Sequence, residues 1–382
     1  MGVENPKVKP PKKSAAGVPA VVHALEYSLE QTSLVRTAIN LLSINQTNGI
    51  DCPGCAWPEP EPGKRHKNEY CENGAKHIND EATTRRITRE FFREHPVSEL
   101  AAKSDMWLNE QGRLTEPMVK PPGSDYYEPI SWEDVLDLLA AELRALDSPD
   151  EALFYTSGRL SNEAAFLLQL FARAFGTNNL PDCSNMCHES SGAGLNETLG
   201  VGKGSVSLDD LHEADLVLAV GLNPGTNMPR MLSALEETKR NGGHVIAVNP
   251  LPEAGLIRFK NPQKVSGLVG RGTPIADQFL HIKPCGDLAL FQAINALLLK
   301  AEDAAPGSVL DHEFIDTHTT GFGAFTNHVR QISWADVLEA NGLRARRSSR
   351  SSTVCCPAGR SSCAGRWASP NRSTVWQRSA RS

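Results

Sequence analysis

Apolar residues recur at helical spacing from Tyr27 to Ser43, where Leu29, Leu34, Val35, Ile39, Leu41 and Leu42 predict one helix that Asn45 to Gly49 then stops. A charged helix is expected from Glu81 to His95, limited by Pro96, and another helical segment from Val97 to Leu108. A third opens at Ser131, whose hydroxyl can cap it and whose Glu133 and Asp134 suit its positive end; its predicted core face is Val135, Leu138, Leu139 and Leu143. From Glu151 the texture alternates. Ala152 to Thr156 reads as a buried strand, Ser161 to Phe175 as a helix stopped by Gly176, and Asn179 to Ser184 as a short strand. The clearest unit is a strand from Ala214 to Gly221, a helix from Pro229 to Arg240 and a strand from His244 to Pro250, a β-α-β unit expected to be parallel. A strand from Asp277 to Pro284, a helix opened by Gly286-Asp287 and short helices near residues 311–318 and 333–338 complete the pattern.

Composition adds two ends of different character. Residues 1–25 read as a disordered basic arm with proline. Arg344 to Ser382 hold nine arginines and no acidic residue or lysine, which leaves a net charge of -15 on the rest of a chain whose total is -6. That acidic body argues against a nucleic-acid partner. The tail lacks periodic apolar residues, and its abrupt composition suggests a shifted reading frame. Few aromatics, 40% hydrophobic residues and no apolar run near the roughly 20 residues of a spanning helix describe a soluble protein. The start of the chain shows no export signal, so a cytoplasmic location is expected. At 382 residues, two or more domains are expected: 26–125 around the first cysteine motif and 126–343 as an α/β region.

Cysteines then carry the candidate chemistry. Cys52 and Cys55 flank a Pro-Gly turn that can direct both sulfurs to one centre, and Cys71 follows after fifteen intervening residues. Iron–sulfur clusters usually take four thiolates; Asp51, Glu59 or His66 can complete this set, a Cys3His zinc site through His66 is the alternative, and unmetallated thiols are the third possibility. The second motif, CSNMCHESS, sets Cys187 beside His188 just before an expected helix. A thiolate there can hold a metal while the imidazole moves a proton. In the β-α-β unit, Gly221 lets the chain turn after its strand, Asn223 leads to a helix N-terminus, and Asn249 ends the second strand where a side chain can meet a ribose or base. Asp287 has capping and ligand binding as equal readings.

The order CPGCAW, CENGAK, PISWEDV, SNMCHE, GLNPGTN, GTP and GDLAL, from about Leu29 to Leu343, resembles the large molybdopterin-dependent oxidoreductases, in their formate dehydrogenase-like alpha-subunit branch. The resemblance implies an α/β catalytic core with Rossmann-like parallel sheets, incomplete at the C-terminus because the family continues well beyond Leu343. It implies a bis(molybdopterin guanine dinucleotide) cofactor with molybdenum or tungsten and a 4Fe-4S cluster. On that reading Cys52, Cys55 and Cys71 bind the cluster, Lys76 stands between cluster and pterin, Cys187 is the metal ligand and His188 the acid or base. Gly221, Asn223, Asn249, Gly272, Thr273 and Asp287 would line the guanine dinucleotides, with Arg230, Arg258 and Arg271 as candidates to hold a small carboxylate. The expected partners are a small-molecule substrate such as formate, and an electron-acceptor protein or NAD-linked subunit. A truncated, inactive fragment and a zinc-stabilised nucleotide-binding module are the competing readings. The departures are the missing early third cysteine, replaced by Ala56 to Glu59, and Cys285 where a glycine is expected.

Overall fold

The computed structural model describes residues 10–55, 57–181 and 183–343, apart from the side chains at positions 183, 184, 185 and 187. The Arg/Ser-rich tail and the first nine residues of the expected arm lie outside the described residues. The chain divides into two compact units, one drawn mainly from residues 20–205 and one from residues 11–19 with 206 onward. The division falls near residue 205, whereas the sequence suggested 125.

In the first unit, the single helix expected over 27–43 is two: α1 (Val18–Gln31) and α2 (Leu34–Ser43). Ser33 causes the break by taking extended backbone and accepting the Arg36 amide as the cap of α2. Helix α1 starts inside what the sequence suggested was a disordered arm. Of the expected apolar face Leu41 is buried, but Leu34 is 72% exposed and Ile39 60%, while Ser28, Gln31, Thr37 and Asn40 are buried. The reason is Asn79 on α3 (Glu72–Glu81), which accepts from Thr32 and Asn40 and donates to Ser28 Oγ and the Ala75 carbonyl. A buried polar network in which the Asn79 amide is satisfied at both ends fixes one arrangement of three helices where an apolar seam tolerates several. Beside it, Ala24, Leu41, Ile44, Ala75 and Ile78 form a small core against which Cys52 and Tyr70 pack.

Next come β2 (Arg86–Ile87), α4 (Arg89–Glu94), α5 (Val97–Ala101), α6 (Asp105–Glu110), β3 (Arg113–Leu114), β4 (Met118–Val119) and β5 (Glu128–Pro129), with β2 pairing β3 and β4 pairing β5. Helices α7 (Trp132–Arg144) and α8 (Asn162–Phe175) take the predicted caps, Ser131 and Ser161, and Gly176 ends α8 at φ 112°. Leu138 and Leu139 of α7, expected in the core, are exposed, and Ala152 to Thr156 joins none of the described sheets, its Leu153 and Tyr155 facing out. Helix α9 (Cys183–Leu199) replaces the strand expected over 179–184 and begins earlier than expected. No proline or glycine interrupts residues 183–191, so the helix runs back to Cys183 and carries Cys187 and His188 within it.

In the second unit β1 (Ala15–Ala16) pairs in parallel with β8 (Phe259–Lys260). Helix α10 (Leu208–Glu213), closed by a Ser207–Asp210 capping box, precedes β6 (Leu216–Val220). The chain then passes through α11 (Pro224–Asn227) and α12 (Pro229–Arg240) to β7 (His244–Val248), and through α13 (Ala254–Ile257), β8 and α14 (Val265–Leu268) to β9 (Gln278–Leu280). Strands β6, β7 and β9 form a parallel three-stranded sheet in that order, as the β-α-β reading requires. Its Val248 packs with Ile282 and with Leu290 of α15 (Asp287–Ala304). Helices α16 (His312–His318), α17 (Phe322–Arg330) and α18 (Trp334–Asn341) follow, with Val337 of α18 packing against Ala289 and Ala293 of α15. Among the described residues no helix is long and apolar enough to cross a membrane.

Candidate functional site

The first cysteine motif is assembled by Asn45, a residue the sequence reading treated only as a helix stop. Asn45 is buried and holds a left-handed backbone at φ 56°, a region Asn tolerates better than other non-glycine residues. Its Oδ1 accepts the Cys52 amide at 2.8 Å, and its Nδ2 donates to the Glu69 carbonyl at 2.6 Å. Its backbone N–H donates to Ile50, and its carbonyl accepts from Arg65. One side chain thus joins the segment that starts the Cys52–Cys55 turn to the segment that delivers Cys71.

Cys71 stands at the N-cap of α3, where its sulfur accepts the Gly74 amide at 3.4 Å, and the Cys52 sulfur accepts the Gly54 amide at the same distance. Both glycines leave space that a side chain would crowd. A Cβ at position 74 would lie 3.1 Å from the Cys52 sulfur and 4.0 Å from that of Cys71; one at position 54 would lie 3.3 Å from the Cys52 sulfur and 2.8 Å from the ring of His77. Burial pushes the Cys71 thiol up; the Gly74 amide opposes that, while Cys52 and Cys55 nearby push it further up. A bound cation reverses such a penalty by taking the thiolate.

Among the described residues no three His, Cys, Asp or Glu side chains are grouped to hold a single metal ion. A polynuclear cluster asks for something else, because each thiolate sits on its own iron. Three thiols, two amides aimed at two of their sulfurs and two glycines that keep space beside those sulfurs fit an iron–sulfur cluster in donor chemistry. His66, a candidate fourth donor, is exposed and tied through its backbone to Gln46 and Glu69. The imidazole that meets the turn is His77, half-buried, with its Nε2 3.1 Å from Arg159 Nη2. Burial first and Arg159 second hold its pKa below the ordinary histidine value. Lys76 is engaged by Glu72 at 2.7 Å and lies over the Tyr27 ring.

In the second motif the backbone of Cys187 lies in α9 and its side chain is outside the described residues; His188, next to it, is exposed.

The second unit brings some of the nucleotide-site candidates together and separates others. Gly221, at φ 64°, and Asn249 follow the carboxyl ends of the adjacent strands β6 and β7, the edge where open parallel sheets bind ligands. The Gly221 amide donates to Val248, and Asn249 Nδ2 donates to the Leu222 carbonyl at 2.9 Å, so Asn249 shapes the loop that leads to Asn223 at the start of α11. Gly272 and Thr273 are held instead at β8, where Thr273 and Phe259 exchange backbone hydrogen bonds. The Thr273 hydroxyl donates to the buried carboxylate of Glu236 on α12 at 2.8 Å. Glu236 also accepts from Asn261 at 2.8 Å and Lys264 at 2.7 Å. Arg258 meets the carbonyls of Arg271 and Gly272 at 3.3 Å. Asp287 is the first residue inside α15, with Gly286 as the cap, which corrects its expected N-cap position. Cys285, where a glycine was expected, has the glycine-like φ of 64°.

This chain is similar in sequence to known proteins. Residues 113–301 match the family model described as molybdopterin oxidoreductase. An uncharacterized oxidoreductase of Mycobacterium tuberculosis is 57% identical over 336 residues, covering 88% of this chain and 43% of that protein. Protein YdeP of Escherichia coli is 42% identical over 342 residues, covering 88% and 45%. The alpha subunit of F420-dependent formate dehydrogenase 2 from Methanococcus maripaludis is 29% identical over 260 residues, covering 66% and 35%. Acetylene hydratase from Pelobacter acetylenicus aligns with a TM-score of 0.45 at 20% identity, over 58% of this chain and 27% of that one. The chain spans less than half the length of these curated relatives.

Proposed function

We propose that this chain, which carries a molybdopterin oxidoreductase family domain, is the N-terminal part of the catalytic machinery of a two-electron oxidoreductase, formate dehydrogenase-like in kind. The observation that carries the reading is the cysteine centre: Cys52, Cys55 and Cys71, with amides and glycines arranged around sulfur. In this reading those three cysteines hold a 4Fe-4S cluster. Gly221, Asn223 and Asn249 border one guanine dinucleotide of a bis(molybdopterin guanine dinucleotide) at the carboxyl edge of the β6–β7 pair, with Gly272, Thr273 and Asp287 as further candidates. When bound, the cofactor supplies a molybdenum or tungsten centre that accepts two electrons from substrate.

The chain's own contributions are of three kinds. Cys187 supplies the thiolate ligand to that metal, and His188 beside it takes the proton that leaves the substrate. Asn45 orients the thiols by fixing Cys52 relative to the segment before Cys71. Glu236, through Thr273, Asn261 and Lys264, holds the 259–273 loop in place, and Arg258 braces the Arg271 and Gly272 carbonyls. Lys76 is tied to Glu72 and Tyr27, so a place between cluster and pterin asks it to leave those partners. Formate or a similarly small substrate, and a protein or NAD-linked electron acceptor in the cytoplasm, remain the partners of this reading.

Anaerobic expression with metal analysis and electron paramagnetic resonance tests it. Iron together with molybdenum or tungsten is expected in the wild type. Cys52→Ser should lower iron, and Cys187→Ala should abolish dye reduction with iron unchanged. Zinc alone would replace this reading with a zinc-stabilised nucleotide-binding module, and metal-free protein with an inactive fragment.

A further inference from the structure

Three cysteines leave one iron of a four-iron cluster without a protein ligand. His77 is the imidazole that lies against the Cys52–Cys55 turn. Gly54 and Gly74 locate it: the Cys52 sulfur lies beside both glycines, the Cys71 sulfur also lies near Gly74, and the His77 ring is the nearest group to Gly54. The ring presents the edge that bears Cδ2 and Nε2, which would lie 2.8 and 3.5 Å from a Cβ at position 54. His77 and Gly74 are three residues apart on α3, hence one turn apart on one face. The helix backbone that carries His77 is anchored by buried Ala75, Ile78 and Asn79.

The partner of Nε2 defines its chemistry. Arginine only donates hydrogen bonds, so the 3.1 Å contact with Arg159 Nη2 makes Nε2 the acceptor and puts the ring proton on Nδ1. An unprotonated Nε2 is the form of histidine that binds metal. Arg159 is exposed and can turn to solvent, while the ring of His77 is half-buried.

We infer that His77 Nε2 is the fourth protein ligand of the cluster held by Cys52, Cys55 and Cys71, which makes this a three-cysteine, one-histidine centre. The inference rests on the cluster reading above. Replacing one thiolate by a neutral imidazole removes one negative charge, and clusters so ligated have higher reduction potentials than all-thiolate ones.

The test is made on the full chain, purified anaerobically from cells grown with 15N-histidine or unlabelled histidine, by pulsed paramagnetic resonance of the reduced cluster. The wild type should show a nitrogen coupling that changes with the label. His77→Cys should keep the iron content, lose that coupling and shift the cluster to a lower potential. His77→Ala should drop from about four irons per chain to about three and give the signal of a three-iron cluster on oxidation. A label-sensitive coupling that survives in His77→Cys, or full iron with an unchanged spectrum in His77→Ala, overturns the assignment. An intact wild-type cluster without histidine coupling overturns this inference and leaves the cluster reading standing. A wild type without iron overturns both.

Discussion

Asn45→Ala isolates the brace on which the cysteine centre depends. The substitution removes the bond to the buried Glu69 carbonyl and the bond from the half-buried Cys52 amide. Each buried polar group left without a partner costs about 1–3 kcal/mol, and water can still reach the Cys52 amide, so the two together come to about 2–4 kcal/mol. Alanine at φ 56° adds about 1 kcal/mol of backbone strain that asparagine largely avoids. For a unit near 200 residues each kcal/mol moves the melting midpoint by about 2–4 °C, so a drop on the order of 10 °C is expected. Calorimetry of anaerobically purified protein, with iron per chain measured on the same samples, reads both consequences. Asn45→Gly separates the two terms, because it relieves the backbone and still lacks the side-chain bonds; it should fall between wild type and Asn45→Ala. The reasoning is refuted if Asn45→Ala melts within about 2 °C of wild type and keeps its iron.

Other substitutions probe the remaining joints. Gly74→Ala adds a methyl 3.1 Å from the Cys52 sulfur at the third position of α3, where alanine favours the helix by up to about 1 kcal/mol; iron should fall while melting changes little, and unchanged iron would show that the sulfur has room. Glu236→Gln should cost about 2 kcal/mol by denaturant titration, the middle of what a hydrogen bond to a charged group contributes. Burial pushes the Glu236 carboxyl up, yet Lys264, Asn261 and Thr273 together pull it below the ordinary range, so the loop it holds should loosen in acid. Glu302 accepts the Gly307, Leu310 and Val309 amides and His312, and the first-named amide bonds with His312 pull its pKa down to about 2. Because its folded value lies below the unfolded 4.5, the stability it adds is fully present above pH 4.5 and is lost as pH falls toward 2. Denaturation measured from pH 6 to pH 2 should show that loss in wild type and a flatter profile in Glu302→Gln; parallel profiles would remove Glu302 from the account.

Local signals were legible wherever the cause was local. Caps at Ser131 and Ser161, the stop at Gly176 and the parallel β6–β7 pair all depend on a few neighbouring residues, and each stands where the sequence puts it. The cysteine spacing likewise pointed to one shared site for Cys52 and Cys55, whereas the place of Cys71 at the start of α3 came only with the fold. Periodicity failed where burial was polar. In α1 and α2 most of the apolar stripe, Leu41 apart, marks the exposed side, because Asn79, some fifty residues from Ser28 in the chain, gathers the polar side inward.

By itself the sequence determined the residue types, their spacing and the short-range backbone preferences, and with them the α/β class, the cysteine set and the strands whose ends carry Gly221 and Asn249. Tertiary structure alone decided which distant groups meet: Asn45 between Cys52 and Glu69, His77 rather than His66 at the CPGC turn, and Thr273 committed to Glu236. The physical reason is that a hydrogen bond or a steric fit depends on positions within tenths of an ångström, and those positions are set only when segments tens of residues apart pack together.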